Sequence, residues 1–360
     1  MPAPAEIRVV APNLKHSISG VTSTIAALVP LMAPQGVVAS GPGLPPDIPH
    51  LPLRQAALMP RDRWRVWHAR RNTEMLFGLV LRLVLRRRYK LLFTSAAQRR
   101  HSGYTRWLIA QMDAVIATSQ RAAGYLDREA TVIHHGVDTR RFFPPGSKRD
   151  AKEKLGLPTE DLFIGCFGRV REYTGTDIFG DAAISLCKSN RRIRATILGR
   201  ATEKHVAFQR ALEQKIRNAG LHHRIRFMGE VPFEAVPDWY RALDLFIAPQ
   251  RWEGVGLTPL EAMACGVPAV TTRVGAFEEL LVPGETGAHV EIGDVAGLVA
   301  TAQSILSDED KLERWGRAAA VHAAETFPLE REAAQIMGVY DRLLSDQRTD
   351  TSGGEDPSRT

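Results

Sequence analysis

Apolar residues in this chain gather into short, nearly unbroken runs of strand length, separated by longer segments whose apolar positions recur at helical spacing. The first series is IRVVAP (7–12), KLLFTSA (90–96), AVIATS (114–119) and ATVIHHG (130–136). Runs without polar alternation suit strands buried on both faces, as in a parallel sheet covered by helices. A second series follows the charged, Pro-containing stretch 144–161: FIGCFGR (163–169), ATILGR (195–200), IRFMGEV (225–231), LFIAPQ (245–250) and PAVTTR (268–273). Among the intervening segments, AFQRALEQKIRNAG (207–220) has helical periodicity and ends on Gly220 as its stop. LEREAAQIMGVYDRLLSD (329–346), after a Pro328 suited to a first turn, predicts a final helix. The fold class predicted is α/β, with two open parallel-sheet domains over 1–143 and 144–328. Residues 329–346 form a terminal helix crossing back to the first domain, and 347–360 read as a disordered tail by composition.

Composition adds a compartment and a charge map. Hydrophobic content of 44% and charged content of 24% belong to a globular chain. Cys166, Cys187 and Cys265 are too few and scattered for a disulfide framework, which favours a reducing cytoplasm. The N-terminus leads straight into an apolar strand without a secretory signal, and no run reaches the roughly 18 residues of a membrane span. A cytoplasmic chain, soluble or peripheral on a membrane, is expected. Its basicity is lopsided: residues 1–150 carry 22 Lys and Arg against 9 Asp and Glu, whereas 151–360 carry 25 against 31. From Arg54 to Arg106 there are 14 basic and 2 acidic residues, interleaved with Trp64, Trp67, Phe77 and Leu/Val runs. Such a face suits anionic headgroups or an anionic acceptor. It stands beside a plain solvated basic face, and nucleic acid is disfavoured because no recognition motif accompanies the charge.

Candidate chemistry concentrates in RWEGVGLTPLEAMACGVPAV (251–270). Glu253 and Glu261 stand eight positions apart around a glycine-rich loop that leads into a helix. Glycines let backbone N–H groups approach a ligand, and a helix N-terminus favours phosphate. One carboxylate accepting from vicinal ribose hydroxyls, with a second near a transferred sugar, is what nucleotide-sugar recognition needs.

On these residues the chain resembles family 4 of the retaining glycosyltransferases, whose second domain carries a Glu, seven residues, Glu motif. Glu253, Gly254, Gly256, Leu257, Pro259, Glu261, Ala262, Met263, Ala264, Gly266 and Pro268 match it. Further marks are Gly20 in SGVTST, HGVDTRRFFPP (135–145), GRVREYTG (168–175) and EELLVPGETGAHVEIGD (278–294). The resemblance implies a GT-B fold, two Rossmann-like domains facing across a cleft, and sugar transfer with retention of configuration and no metal. It implies that Glu261 binds the ribose, that Gly254, Val255, Gly256 and Leu257 offer amides to the diphosphate and sugar, and that Glu253 contacts the donor sugar. Arg169 is carried over as a diphosphate ligand, and Gly20 as a donor-side glycine whose neighbour Ser19 also offers an amide. His101 is carried over as a histidine facing the donor sugar. Thr174 occupies the place of the family's lysine, so one of two expected positive charges is absent there; Arg171 or Arg200 are the candidates to replace it.

At a finer level HARRNTEM (68–75), FTSAAQRRH (93–101), GYTRWLIAQMDAVIATS (103–119), GEVP (229–232) and FPLEREAA (327–334) resemble the lipopolysaccharide core mannosyltransferases. That implies GDP-mannose as donor, Kdo on lipid A as an anionic acceptor, and a seat on the inner face of the inner membrane. Among other histidines, His134 and His135 are expected to shape the turn between domains, and His16 is a lesser acceptor-side candidate. Asp308, Glu309 and Asp310 spell DxD but read as a capped helix start. Four alternatives remain: a glycosyltransferase of the same fold using another nucleotide sugar or glycolipid acceptor, a nucleotide-sugar epimerase or hydrolase of the same fold, an oxidoreductase, and a binding protein for membranes or anionic polymers. The oxidoreductase is disfavoured because APNLKHSISG stands where GxGxxG belongs.

Overall fold

The computed structural model describes residues 6–16 and 20–345. Ser19 and the predicted tail lie outside the described residues. The chain divides into two compact units, residues 1–136 with 329–360 and residues 137–328.

The first unit runs β1 (Val9–Pro12), α1 (Gly20–Met32), β2 (Val37–Ser40), α2 (Leu53–Ala57), β3 (Arg65–Ala69), α3 (Asn72–Leu79), β4 (Tyr89–Ser95), α4 (Gly103–Ala110), β5 (Ala114–Ala117), α5 (Gln120–Ala123) and β6 (Thr131–Val132). The second contains α6 (Lys148–Lys154), β7 (Leu162–Phe167), α7 (Thr176–Ser189), β8 (Ile193–Leu198), α8 (Val206–Asn218), β9 (Ile225–Gly229), α9 (Val236–Arg241), β10 (Leu245–Ala248), α10 (Leu257–Ala264), β11 (Ala269–Thr272), α11 (Phe277–Leu280), β12 (Gly287–Val290), α12 (Val295–Leu306) and α13 (Glu309–Thr326). Finally α14 (Leu329–Ser345) belongs to the first unit. Both sheets have six parallel strands, ordered β2-β1-β3-β4-β5-β6 and β12-β11-β10-β7-β8-β9.

Strand alternation splits each unit's core between the two faces of its sheet. In the first unit Val9 and Ala11 pack with Ile25, Leu28, Ile336 and Tyr340 under α1 and α14, while Val10 and Trp67 pack with Met75, Leu79 and Leu108 under α3 and α4. In the second, Ile164, Cys166, Leu245 and Ile247 face α7 and α12, and Phe163, Phe167, Phe246 and Ala248 face α10 and α13. All three cysteines are buried thiols.

Several expectations are corrected. The unit boundary falls at 136/137, not 143/144, because Val137 and Phe142 are core residues of the second unit. Pro328 stands ahead of α14 and bridges Val137 instead of opening the helix. Strands β2, β3 and β12 were absent from the apolar runs. The reason is plainest for β3, whose sequence RVWHA hides a buried Arg65 and His68. Arg65 is satisfied by the carbonyls of Ile7 (3.1 Å) and Pro60 (2.9 Å) and by Asp62 (3.1 Å). His68 is held between Tyr340 Oη (2.7 Å) and Thr94 Oγ1 (2.6 Å). Part of the basic stretch is therefore structural, since buried charge persists where hydrogen bonds replace water.

Candidate active site

In the second sheet the strand order reverses between β7 and β10, and in open α/β sheets the crevice at such a reversal, outside the carboxyl ends of the strands, is where ligands bind. The two loops leaving these strands are GRVREYTG (168–175) and QRWEGVG (250–256). They are fastened to each other. Gly175 has φ +67°, and a Cβ there would stand 2.0 Å from the Pro249 carbonyl oxygen, so only glycine allows this approach. Arg251 donates its backbone N–H to the Tyr173 carbonyl at 2.9 Å. Its guanidinium holds both Asp177 oxygens at 2.7 Å and the Glu172 carbonyl at 2.7 Å. Burial works to raise the Asp177 carboxyl, but the bonds from Arg251 outweigh it and hold that group below its ordinary range.

Within the second loop Glu253 Oε1 accepts from the Gly254 N–H at 2.8 Å, so that amide is turned to its own loop. Val255 accepts from the Ala276 N–H at 3.3 Å. Gly256, at φ +81°, caps α10, and a Cβ on it would lie 2.0 Å from Phe277 Cε1. Leu257 opens the helix, which buries Leu260, Ala262 and Met263 and leaves Glu261 half-buried. Glu261 Oε2 accepts from Tyr240 Oη at 2.8 Å. Burial pushes both carboxyls up: Glu253 against the Gly254 N–H and the charge of Arg171, Glu261 against the Tyr240 bond and the charge of Arg141.

The cations of the first loop differ from one another. Arg169 is exposed, and no ion pair within the described residues holds it. Arg171 is half-buried, within electrostatic reach of Glu253, and its Nε is buried without a hydrogen-bond partner in the described residues. Thr174 is buried, and its hydroxyl donates to the Arg169 carbonyl at 2.6 Å. Thr174 thus braces the turn, with its hydroxyl directed inward. Arg200 pairs with Glu230 at 2.8 Å on the surface. Glu253, Gly254–Leu257, Glu261, Arg169, Arg171 and Thr174 are therefore gathered on one end of one sheet, supplying two carboxylates, two arginines and a helix N-terminus. This set suits a ligand with a diol and phosphates.

Gly20 and His101 lie in the other unit. Gly20 opens α1 beside open space, and a Cβ added to it would meet no atom within 4 Å, so nothing there demands glycine as Gly256 does. His101 Nε2 lies 3.2 Å from Ser95 Oγ, its ring edge-on to Phe93. Burial pushes its imidazole below the ordinary value, against the opposing charge of Asp127. It borders a cleft of about 410 Å³ shared with Arg106, Tyr125 and Asp127. His135 bonds Glu332 at 2.6 Å, and His16 is exposed. Asp308 caps α13 by accepting from the Lys311 N–H at 2.8 Å.

Sequence reasoning missed the supporting residues. Tyr240, Asp177 and Arg251 carry no motif of their own. Asn13, Arg71 and Glu74 form a network at the carboxyl end of β1. There Arg71 donates to Asn13 Oδ1 (2.8 Å) and to the fully buried Glu74 (2.7 Å), which also accepts from the Arg70 N–H (2.8 Å). The signal available was HARRNTEM, an acid three residues after an arginine ahead of an apolar run.

Comparison with known proteins bears on the fold and the family. A family profile described as "Glycosyl transferases group 1" matches residues 147–322. The lipopolysaccharide core biosynthesis mannosyltransferase LpsB of Rhizobium meliloti (strain 1021) is 48% identical over 347 residues, covering 94% of this chain and 98% of its own. LpcC of Rhizobium leguminosarum bv. viciae, of the same description, is 47% identical over 97% of this chain and 100% of its own. The solved structure of Anabaena Alr3699/HepE in complex with UDP superposes with a TM-score of 0.82 over 93% of this chain and 100% of its own, at 18% identity, a likeness of fold. Two six-stranded parallel sheets, a site at the strand-order reversal and near-full-length relatives thus converge: the chain is a GT-B glycosyltransferase of group 1 and belongs to the family of the lipopolysaccharide core biosynthesis mannosyltransferases.

Proposed function

We propose that this glycosyltransferase moves α-mannose from GDP-mannose onto Kdo of the lipopolysaccharide inner core, with retention of configuration, at the inner face of the inner membrane. The relatives' descriptions support the sugar and the pathway. The observation that carries the donor site is the placement of Glu253 before and Glu261 after the Gly256 helix cap, at the strand-order reversal. No helix among the described residues is long and apolar enough to cross a membrane, and in this reading the membrane is approached from its surface.

Here Glu261 accepts from the ribose hydroxyls while Tyr240 fixes its other oxygen. Glu253 faces the donor sugar. The acceptor hydroxyl attacks the anomeric carbon from the face the diphosphate leaves. The bond from that carbon to the phosphate oxygen breaks, the bond to the acceptor oxygen forms, and the hydroxyl proton passes to the departing phosphate. Negative charge on the leaving group is met by Arg169, Arg171 and the α10 N-terminus, oriented before reaction and without a metal ion. Arg171 takes the part that Thr174 leaves open, because its buried Nε lacks an internal partner while Arg200 is already paired.

The test is GDP release by purified protein with GDP-mannose and Kdo-bearing lipid A. Release should require both and vanish in Glu261→Ala. Arg171→Ala should lower kcat/KM by about 10²-fold, the size of losing one preorganised charge donor, and Thr174→Lys should restore part of it. Donor consumption without acceptor would replace the transferase by a hydrolase or epimerase. Release from another nucleotide sugar alone would overturn the donor, and an unaffected Arg171→Ala would remove that residue from the site.

A further inference from the structure

In the first unit α3, the π-turn that continues it over Val80–Val84, and α4 lie side by side. Asn72 donates to Thr105 Oγ1 at 2.8 Å at one end. At the other, Arg82 reaches the Gln111 carbonyl and Asp113, each at 2.8 Å. Their inner sides are core, with Met75, Leu79, Leu81 and Leu108 buried. Outside stand Leu76, Val80, Leu83, Val84, Tyr104 and Trp107, with Leu83 65% and Val84 70% exposed. Positions 76, 80, 83 and 84 share one helical stripe, and the Tyr104 and Trp107 rings stack at 6.3 Å. Single exposed apolar residues need no explanation, but a group of this size does.

Basic residues flank these elements along the chain. Arg86 and Arg88 follow the π-turn, Arg99 and Arg100 precede α4, and all four are exposed with no ion pair in the described residues. Arg86, at φ +49°, is the one non-glycine residue in the left-handed region among the described residues. Glycine is cheaper at such a helix end, so a guanidinium is held there at the expense of backbone strain.

We propose that this face docks on an anionic lipid bilayer: Leu83, Val84 and Trp107 enter the boundary between headgroups and acyl chains, and the four arginines meet lipid phosphates. Exposed aliphatic tips, an interfacial aromatic pair and unpaired arginines are the combination that an anionic interface attracts. The inference rests on the membrane-side reading above and gives it an address on the molecule.

Flotation with acceptor-free vesicles tests it, using phosphatidylethanolamine with phosphatidylglycerol against phosphatidylcholine alone. The protein should float with the anionic vesicles only and be released by salt. Leu83→Asp with Val84→Asp should weaken binding about tenfold or more, given the transfer energy of two such side chains. Arg86→Gly should weaken it about fivefold, from one basic residue at the surface, while the unfolding temperature holds or rises because glycine relaxes the left-handed backbone. GDP release with detergent-dispersed acceptor should stay unchanged in both variants. Variants that float like the unmodified protein would overturn the docking face and leave the transferase standing. Anionic-vesicle binding lost in the variants, in a protein that releases no GDP, would support the face and overturn the donor and acceptor. A dimer in sedimentation that Leu83→Asp dissociates would give the face to a second copy and overturn the lipid assignment.

Discussion

Glu261 shows how a single side chain is prepared by its surroundings. In the proposed donor site its carboxylate accepts hydrogen bonds from a diol most strongly when ionised, yet burial favours the protonated form. The Tyr240 hydroxyl, donating at 2.8 Å, and the charge of Arg141 favour the ionised form and limit the rise. GDP affinity should therefore fall on acidification at a higher pH than for an ordinary carboxylate. Tyr240→Phe removes a bond to the ionised form and should move that loss to still higher pH. Calorimetric titration of GDP across pH reads both; a shift toward lower pH in Tyr240→Phe would show that another group governs binding. Folding responds with the opposite sign. A carboxyl whose pKa is higher in the folded chain binds its proton longer there, so its contribution to stability falls as pH rises between the unfolded and folded values. Replacing it by Gln should leave stability at neutral pH intact while binding is lost.

At the scale of elements α14 carries a design of its own. Its apolar stripe, Leu329, Ala333, Ile336, Met337, Tyr340 and Leu343, is buried in the first unit. Two polar residues fix its register within that greasy surface. Glu332, 3% exposed, accepts from His135 at 2.6 Å and from the Gly136 N–H at 2.8 Å, and Tyr340 meets His68 at 2.7 Å. Glu332→Ala leaves a half-buried N–H and an imidazole without this partner and should cost about 2–3 kcal/mol, as for hydrogen bonds to charged groups. Asp341→Ala breaks only the exposed Arg8 pair, at 2.6 Å, and should cost under about 1 kcal/mol. Urea midpoints of the two variants make the comparison, and equal losses would deny Glu332 its anchoring part.

For the whole molecule the consequence is a first unit closed by residues from both ends of the chain, and a second, 137–328, that is continuous. A chain ending at Pro328 loses the whole α14 stripe. At about 1.5–3 kcal/mol for each fully buried large side chain, that loss is as large as the usual margin of about 5–15 kcal/mol of a domain. Hydrogen exchange should then find the amides of 6–136 unprotected and those of 137–328 as slow as in the full chain. Protection retained in both would mean that α14 is dispensable to the first core.

Much of this was legible along the chain. Apolar runs such as LFIAPQ become strands because a parallel sheet buries both faces and needs no polar alternation. The phrase from Glu253 to Pro268 marks the proposed donor loop because glycine spacing, helix start and carboxylates are local properties. Gly256 and Gly175 need the freedom that only glycine has, for φ is set within the residue. Other features depend on atoms far apart in sequence. Arg65 and His68 sit inside a strand because Ile7, Pro60, Thr94 and Tyr340 come to meet them. Thr174 turns inward, and Tyr240 reaches Glu261, for reasons no spacing encodes. The basic stretch contained both buried and exposed arginines, and only packing sorted Arg65 from Arg86. Periodicity, turn chemistry and motif spacing are short-range, so the sequence by itself determined most of the strands, the two-sheet plan and the glycine-rich loop that opens α10, while β2, β3 and β12 escaped it. Burial and hydrogen-bond partnership are long-range, so the tertiary structure alone decided which charges are structural, which carboxyls are perturbed and which faces remain uncovered.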